Sequence, residues 1–366
     1  MTQASVQNRA GHAGWKESHY LGEAVDFFPV EREDDFLHPV GPNAHFTAIE
    51  TNLYGFNIPE AQIQCNIYVL WHHVLKTMSV HIFVTKGDRI FRHQLEADYF
   101  LEHQYLPAVT DNADWSLTMG SCAVRMKIVE PLKEILIQFR DQSRGFDLDY
   151  TMSAAMPPVG RPGGKHFTQL MKTNGSLTLD GQDYAIDGFY VRDRSWGYNR
   201  PEQPERTPPY RWMTGWAGAG TGFVVAWMDT GMLDGPEFGP EWNSVVAGDD
   251  ATGINKWESG GPTPSLNLRS GWIAIAGRPI PVVAMTARTR FAEGSRLLVE
   301  AIELDIDDAE GGRHRVEATT RSMYPKLYWQ NIVTYMHCVG LTIDGRVGHG
   351  DLMDSYTTHH VRKFGL

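Results

Sequence analysis

Apolar and polar residues alternate with a period of two along many short segments of the chain. In residues 121–128, Cys122, Val124, Met126 and Ile128 alternate with small or polar residues. This spacing places successive side chains on opposite faces of an extended chain, so it predicts half-buried antiparallel strands joined by short turns. Segments of similar character lie at 63–70, 79–85, 135–139, 146–152, 211–216, 222–228, 272–276, 282–290, 296–306 and 313–321.

Turn-forming residues separate these segments. The Asp-Gly pairs at 180–181, 187–188 and 344–345 stand between apolar alternations, and such pairs are typical of tight hairpins. Residues 156–164 are rich in Pro and Gly, which makes them the best linker in the chain.

The predicted fold class is therefore all-β, with two antiparallel β-barrels packed together and few short helices. We expect an irregular N-terminal segment at 1–40, a first barrel at 41–160, and a second barrel at 165–366 whose C-terminal segment packs back. A pair of β-sandwiches is the alternative architecture. Residues 96–104 are a weak helix candidate, and 327–337 fit either a helix or a strand.

Composition narrows the classes of partner. The chain has 366 residues and a formal net charge of −11, which disfavours binding to nucleic acid or to anionic membranes. No apolar run approaches the roughly 20 residues that a membrane helix needs, so no integral membrane segment is expected.

Cys65, Cys122 and Cys338 are far apart and form no C-x-x-C, which disfavours disulfides and cysteine zinc sites. With no apolar segment of a signal peptide in residues 1–16, we expect a cytoplasmic protein.

Familiar motifs of cofactor and metal chemistry are missing from the sequence. It contains no P-loop, no G-x-S-x-G and no H-E-x-x-H. The glycine-rich residues 215–220 are followed by a strand-like segment rather than a helix, which argues against a dinucleotide site. The adjacent histidines 72–73 and 359–360 would point to opposite faces of a strand, so neither pair can chelate one ion. We therefore expect neither a cofactor nor a metal.

Charge is concentrated in residues 190–197, in the middle of strand-like sequence. A buried charge is costly unless it is paired or used, so this segment is the first candidate site. On a strand its residues fall on two faces, Tyr190, Arg192, Arg194 and Trp196 on one, and Val191, Asp193, Ser195 and Gly197 on the other.

Asp193 is the main candidate for chemistry, because small residues beside it leave room for a ligand. In an apolar cavity its carboxyl group would have a raised pKa and act as a general acid. If Arg192 or Arg194 came close, Asp193 would stay ionised and act as a base or an orienting group. A purely structural Asp–Arg pair is the remaining alternative.

Other residues are secondary candidates. His166 and Tyr190 are possible acids or bases, although a histidine near apolar residues is usually structural. Asp351 and Asp354 lie in the C-terminal segment and could cover a barrel mouth, with a catalytic role less favoured. Several aromatic residues form either barrel core or the walls of a pocket for an apolar ligand, namely Trp196, Tyr198, Tyr210, Trp212, Trp216 and Trp227.

Four segments resemble a known family over roughly residues 160–230. They are His166-Phe-Thr-Gln169, Gly175-Ser-Leu-Thr-Leu-Asp-Gly181, Tyr184, and Gly188-Phe-Tyr-Val-Arg-Asp-Arg-Ser-Trp-Gly197. This region is similar to the second barrel of the two-domain lipocalin-like proteins that include carotenoid 1,2-hydratase (hydroxyneurosporene synthase). Tocopherol cyclase and lipocalin-like Diels–Alderases are more distant relatives in that comparison.

The resemblance implies two lipocalin-like barrels and cofactor-free chemistry on a hydrophobic substrate, in a pocket at or near the barrel interface. By motif position Asp193 would be the acid and Trp196 a pocket wall. The family usually has Asp-His near Trp-Gly, whereas this chain has Asp193-Arg194. That departure puts a histidine-assisted mechanism in doubt, although His166 could supply an imidazole from a neighbouring strand.

Two functional hypotheses follow. The first is a cofactor-independent lyase or isomerase that performs hydration, dehydration, cyclisation or retro-aldol chemistry on a terpenoid, steroid or aromatic compound. Its catalytic residues would be Asp193, Arg192, Arg194, His166 and Tyr190, and its substrate-binding residues Trp196, Tyr198, Trp212, Trp216 and Trp227. The second is a non-catalytic carrier of a hydrophobic ligand. Both predict a small hydrophobic molecule as the partner, and both are compatible with a homodimer.

Overall fold

The computed structural model describes residues 15–22, 26–88, 95–105, 113–200, 202–203, 207, 209–229, 268–295 and 297–364. Of the residues that the structure describes, 69% lie in strands and 4% in helices, so this part of the chain is nearly all β, which confirms the predicted fold class. The strands are β1 Trp15–Leu21, β2 Ala48–Ile58, β3 Ile63–His72, β4 Thr77–Lys86, β5 Ala97–Tyr105, β6 Asp114–Met119, β7 Cys122–Glu130, β8 Glu134–Asp141, β9 Phe146–Ala154, β10 Val159–Gly160, β11 His166–Leu179, β12 Gln182–Asn199, β13 Tyr210–Trp216, β14 Gly222–Met228, β15 Leu268–Ile275, β16 Arg278–Phe291, β17 Val299–Asp308, β18 Arg313–Trp329, β19 Ile332–Ile343 and β20 Arg346–Thr357. The helices are 3₁₀ turns at Arg32–Asp35 and Pro59–Ala61, and α1 at Thr358–Phe364.

The strands form two antiparallel sheets. The first has the order β5-β4-β3-β2-β12-β11-β9-β8-β7-β6, with β10 added against β11, and it curls into a half-barrel. The second runs β16-β15-β14-β13-β20-β19-β18-β17, and pairing of β16 with β17 closes it into an eight-stranded barrel. Closure removes the exposed edges that an open sheet of this size would present.

The sheets divide the chain at a different place from the predicted boundary. The sequence assigned residues 165–199 to the second barrel, but β11 and β12 complete the first sheet, and the chain passes to the barrel after residue 199. The Pro/Gly-rich stretch contains β10 and then turns into β11, with Gly163 and Gly164 at φ of 89° and 71°. A turn and a linker have the same composition, and only strand pairing distinguishes them.

Strand pairing corrects two further expectations and decides between the alternatives of a third. Residues 15–21, expected to be irregular, form β1 and pair with β16. Residues 97–104 of the weak helix candidate belong instead to β5, which pairs with β4. Residues 327–337 lie in the β18–β19 hairpin, so the strand alternative is the one observed.

Two of the three Asp-Gly pairs form the predicted hairpin turns. Asp180-Gly181 joins β11 to β12 and Asp344-Gly345 joins β19 to β20, and all four residues have positive φ, as a type I′ turn requires. Gly188 instead lies inside β12, where an added Cβ would come within 2.7 Å of the Asn57 carbonyl oxygen. There glycine permits close approach of two chains rather than a turn.

Two hydrophobic cores follow from strand alternation. Met213 and Leu352 point into the closed barrel and belong to its interior cluster. Their neighbours Trp212 and Met353 point outward and join a cluster that the first sheet covers. The barrel therefore buries both of its faces along this side. No helix among the described residues is long and apolar enough to cross a membrane.

Candidate functional site

A cavity of about 90 Å³ lies between the two sheets. The first sheet and the chain after β12 supply a polar wall, which includes Asp193, His166, Ser195, Thr51, Tyr68 and Arg200. The closed barrel supplies a mainly apolar wall, which includes Trp212, Met228, Ile332 and Met353, together with the hydroxyls of Tyr210, Ser355 and Thr357. A site with one polar and one apolar wall can orient a small organic molecule as well as enclose it.

Asp193 and His166 form a pair at this cavity. The Nε2 atom of His166 lies 2.6 Å from Oδ2 of Asp193, and their side chains are 14% and 13% exposed. His166 stands opposite Ser195 in the β11–β12 ladder, two residues from Asp193, so the two side chains are diagonal neighbours on one face. The structure thus brings together the predicted acid or base and the predicted imidazole from a neighbouring strand.

The His166 ring is held from one side only. With Asp193 ionised, Nε2 carries the hydrogen and donates it to the carboxylate, which leaves Nδ1 as an acceptor. Among the described residues, buried Nδ1 has no hydrogen-bond partner. Asp193 therefore keeps one carboxylate oxygen engaged by the imidazole, while its side chain still borders the cavity.

A hydroxyl pair lies beside this carboxylate. Thr51 Oγ1 and Ser195 Oγ are 2.6 Å apart, and Arg200 donates from Nη2 to Ser195 Oγ at 3.3 Å. Tyr68 on β3 borders the same cavity and is hydrogen-bonded to Thr51. Burial raises the pKa of Tyr68 to about 12, against a lowering by the charge of Arg200. The sequence analysis assigned no role to Thr51, Tyr68 or Arg200, because no local motif marks them.

Arg192 and Arg194 lie on the other face of β12, away from the cavity. Arg192 Nη1 donates to Asp35 at 2.7 Å and its Nε donates to Gln169 at 3.0 Å. Arg194 donates from Nη2 to Glu50 at 2.5 Å and to the Phe36 carbonyl at 2.7 Å. Strand alternation explains this placement. The two arginines attach the segment before β2 to the half-barrel and do not orient Asp193.

The carboxyl group of Glu50 is held ionised by its surroundings. Burial by itself raises the pKa of Glu50, but hydrogen bonds from His38, His73 and Arg194 outweigh burial and hold that pKa well below its ordinary value. A carboxylate with such fixed partners serves as an anchor rather than as a proton carrier.

Tyr190 belongs to a second polar cluster, buried between the sheets. Its hydroxyl accepts a hydrogen bond of 2.6 Å from Asn66, and Asn66 also donates to Asp351 at 3.0 Å. Gln64 donates to Asp351 at 2.5 Å. The Tyr190 ring passes over Gly55, where an added Cβ would come within 2.5 Å of it. Only glycine leaves room for this crossing. Tyr190 is not among the residues that border the cavity.

Asp351 is fully enclosed in that cluster. Burial raises the pKa of Asp351 from 3.8 to about 6, although hydrogen bonds with Tyr190, Asn66 and Gln64 act in the opposite direction. The sequence analysis placed Asp351 at a barrel mouth with a catalytic role less favoured. Its actual position in the inter-sheet core depends on contacts with β3, which is 285 residues away at Asn66.

The predicted aromatic walls separate into three environments. Tyr198 and Trp212 border the cavity as expected. Trp196 stacks on His38 at a centroid distance of 4.5 Å, on the arginine face of β12. Trp216 packs 5.1 Å from Tyr190 in the inter-sheet core, and Trp227 lies inside the closed barrel. Helical or strand spacing alone does not indicate which of two buried faces meets a cavity.

No group of three or more His, Cys, Asp or Glu side chains in the described part of the chain is placed to hold a metal ion. The polar groups that border the cavity instead include the carboxylate of Asp193, the imidazole of His166, the guanidiniums of Arg161 and Arg200, and several hydroxyls and amides. Such a set can move a proton and stabilise a charged oxygen.

Comparison with known proteins gives a family and a fold. The profile of a family described as "Domain of unknown function (DUF7064)" matches residues 31–359. No curated protein matches the chain in sequence.

Several solved structures share the fold. AttH from Nitrosomonas europaea is 14% identical with a TM-score of 0.53, over 88% of this chain and 99% of that one. Kievitone hydratase from Nectria haematococca is 12% identical with a TM-score of 0.50, over 93% and 99%. CghA is 11% identical with a TM-score of 0.53, over 93% and 98%. At these identities the likeness establishes the two-sheet fold, while the closer relationship to carotenoid 1,2-hydratase stays a prediction.

Proposed function

The chain belongs to the DUF7064 family, and we propose that it is a cofactor-independent lyase or isomerase that applies acid–base chemistry to a hydrophobic small molecule. The observation that carries this proposal is the Asp193–His166 pair, at 2.6 Å, on the wall of a cavity between the sheets.

Asp193 is the proton carrier in this proposal. Its side chain is partly exposed at the cavity, and its partner His166 is itself titratable. His166 orients the carboxyl group through Nε2 and compensates the change in charge when the proton moves. Hydration, dehydration, cyclisation and retro-aldol cleavage each need one such group within a cavity that excludes bulk water.

Two further observations support an enzyme of this class. The apolar wall of Trp212, Met228, Ile332 and Met353 suits a hydrophobic substrate and keeps the reacting atoms away from solvent. Among the proteins of the same fold is one named as a hydratase, and addition of water is one of the reactions that the Asp193–His166 pair could perform. Tyr198 and Trp212 are the aromatic residues that we propose as substrate contacts.

The test is turnover of a panel of apolar alkenols, enones and aromatic diols, followed by mass spectrometry for gain or loss of water or formaldehyde. We expect Asp193→Asn to lower turnover at least about 100-fold, which is the usual contribution of a general acid or base. Asp187→Asn is the matched control, because Asp187 lies on the same strand with an exposed side chain. Unchanged turnover in Asp193→Asn would remove Asp193 from the mechanism.

The apolar wall also favours a second candidate, a carrier that binds a hydrophobic ligand without changing it. A carrier would retain ligands through purification, and its affinity would be the same in the wild type and in Asp193→Asn. Tight binding of panel compounds with no conversion of any of them would favour the carrier over the enzyme.

A further inference from the structure

We propose that Arg200, Ser195, Thr51 and Tyr68 form a hydrogen-bonded chain that stabilises negative charge on a substrate oxygen, opposite Asp193. The inference rests on the proposed function and narrows its substrate class to α,β-unsaturated or β-hydroxy carbonyl compounds. An isolated alkene has no oxygen to receive the charge and falls outside this class.

Asp193 and Tyr68, at the two ends of the proposed site, are linked by directly paired residues across three neighbouring strands of the first sheet. Asp193 on β12 stands opposite Leu53 on β2, and Leu53 stands opposite Tyr68 on β3. All three border the cavity. Because neighbouring strands are spaced by about 4.8 Å, the Asp193 and Tyr68 backbones are about 10 Å apart, with Leu53 as an apolar floor. A conjugated carbonyl compound lying over Leu53 would reach both ends.

The guanidinium of Arg200 stands at one end of this chain and the phenol of Tyr68 at the other. Arg200 can only donate, so Ser195 Oγ accepts from it at 3.3 Å. Ser195 Oγ lies 2.6 Å from Thr51 Oγ1, where either hydroxyl can donate, and Thr51 is hydrogen-bonded to Tyr68. Hydrogen bonds that share hydroxyls in this way polarise one another, so the charge of Arg200 acts through Ser195, Thr51 and Tyr68.

Tyr68 retains its hydrogen at neutral pH, since burial raises its pKa to about 12. It therefore acts as a donor of hydrogen bonds and not as a phenolate. A buried hydroxyl whose oxygen is held in place by Thr51 at the cavity wall needs little reorganisation when charge develops on a neighbouring oxygen.

The reaction that uses both Asp193 and Tyr68 is reversible addition of water to a conjugated carbonyl compound. Asp193 accepts a proton from water as the water oxygen bonds to the β-carbon. The electrons of the carbon–carbon double bond move toward the carbonyl group and form an enolate, whose oxygen accepts the Tyr68 hydrogen bond. Asp193 then returns its proton to the α-carbon, which yields the β-hydroxy carbonyl compound. One water is added, and nothing is oxidised or reduced.

The experiment compares two probes of similar shape, 4-nitrophenolate and nitrobenzene, by titration calorimetry. The host is Asp193→Asn, because the mutation removes a negative charge that would repel the phenolate, and because binding is then measured apart from turnover. In that host, Tyr68→Phe should weaken phenolate binding about 10-fold or more, the usual effect of losing a hydrogen bond to a charged group. Nitrobenzene affinity should stay within about twofold, because the phenyl ring keeps the same shape.

Ser195→Ala tests the chain itself. Ser195 is a positioning residue here, so its loss should weaken phenolate binding by a smaller factor than Tyr68→Phe and leave nitrobenzene unaffected. Tyr184→Phe is the control, since the Tyr184 hydroxyl contacts Lys86 and Gln182 rather than the chain. Circular dichroism of each variant establishes that the β structure is intact.

Three results would overturn the inference. They are absence of saturable phenolate binding in the host, phenolate affinity that Tyr68→Phe leaves unchanged, and equal weakening of both probes. The proposed function fails separately, if Asp193→Asn keeps full turnover. Conversion of a simple alkene that depends on Asp193 but not on Tyr68 would support the function and reject this substrate class.

Discussion

Asp193 and Arg192 are adjacent in sequence but lie on opposite faces of β12, in contrasting environments. Arg192 is buried with a fixed anionic partner, Asp35, and Gln169 holds its remaining nitrogens. Asp193 borders a cavity and has a titratable partner, His166.

The contrast shows what makes a charged residue chemically useful in a sheet. A charge whose partners are all permanent and enclosed stabilises one arrangement of the chain. A charge with an open side and a partner that can change its protonation state can exchange a proton with a bound molecule. Asp351 is intermediate, because it is enclosed like Arg192 yet has only neutral partners among its hydrogen bonds.

The largest effect on stability should come from Arg192→Met. Removing the guanidinium leaves Asp35 buried without its cation, so the free energy of unfolding should fall by about 3–5 kcal/mol. Urea denaturation measures the change. The control is Arg140→Met, whose partner Asp147 is exposed and whose loss should cost about 0–1 kcal/mol. Equal effects in the two variants would mean that the Arg192–Asp35 pair does not stabilise the fold more than an exposed ion pair does.

The next effect concerns Asp351 and depends on pH. Because the folded-state pKa is raised from 3.8 to about 6, the contribution of Asp351 to stability is fully present below pH 3.8 and is lost as pH rises through about 6. Between pH 3 and pH 7 this loss should amount to about 3 kcal/mol.

Asp351→Asn cannot ionise, so the variant should gain stability relative to the wild type by that amount over the same range. Denaturation curves at several pH values would measure the difference, with the exposed Asp149→Asn as reference. A constant difference between wild type and Asp351→Asn at every pH would contradict a proton-linked role for this carboxyl group.

The smallest effect on stability should come from Asp193→Asn. The side chain is partly exposed and an amide can still hydrogen-bond to His166, so unfolding should change by no more than about 1 kcal/mol. Paired with the large loss of turnover proposed above, this result would separate the two faces of β12 into a functional and a structural one. If the free energy of unfolding fell by several kcal/mol, Asp193 would have a structural role like that of Arg192 instead.

Local sequence pattern accounts for much of the fold and for part of the site. Alternation predicted most strands, and the Asp-Gly pairs at 180–181 and 344–345 correctly marked two hairpins. The same signal failed at 187–188, because glycine also permits close approach to Asn57 inside a strand. Alternation also separated Asp193 and Ser195 from Arg192 and Arg194, which is the division that the structure shows.

What the sequence determined by itself is the class of fold and the two-faced character of residues 190–197, because both depend on neighbours in the chain. Only the tertiary structure decided that His166 meets Asp193, that Tyr68 and Arg200 join one hydrogen-bonded chain, and that Asp351 is enclosed between sheets. Strand register and the packing of one sheet against the other set these contacts, and they join residues far apart in sequence that no local pattern relates.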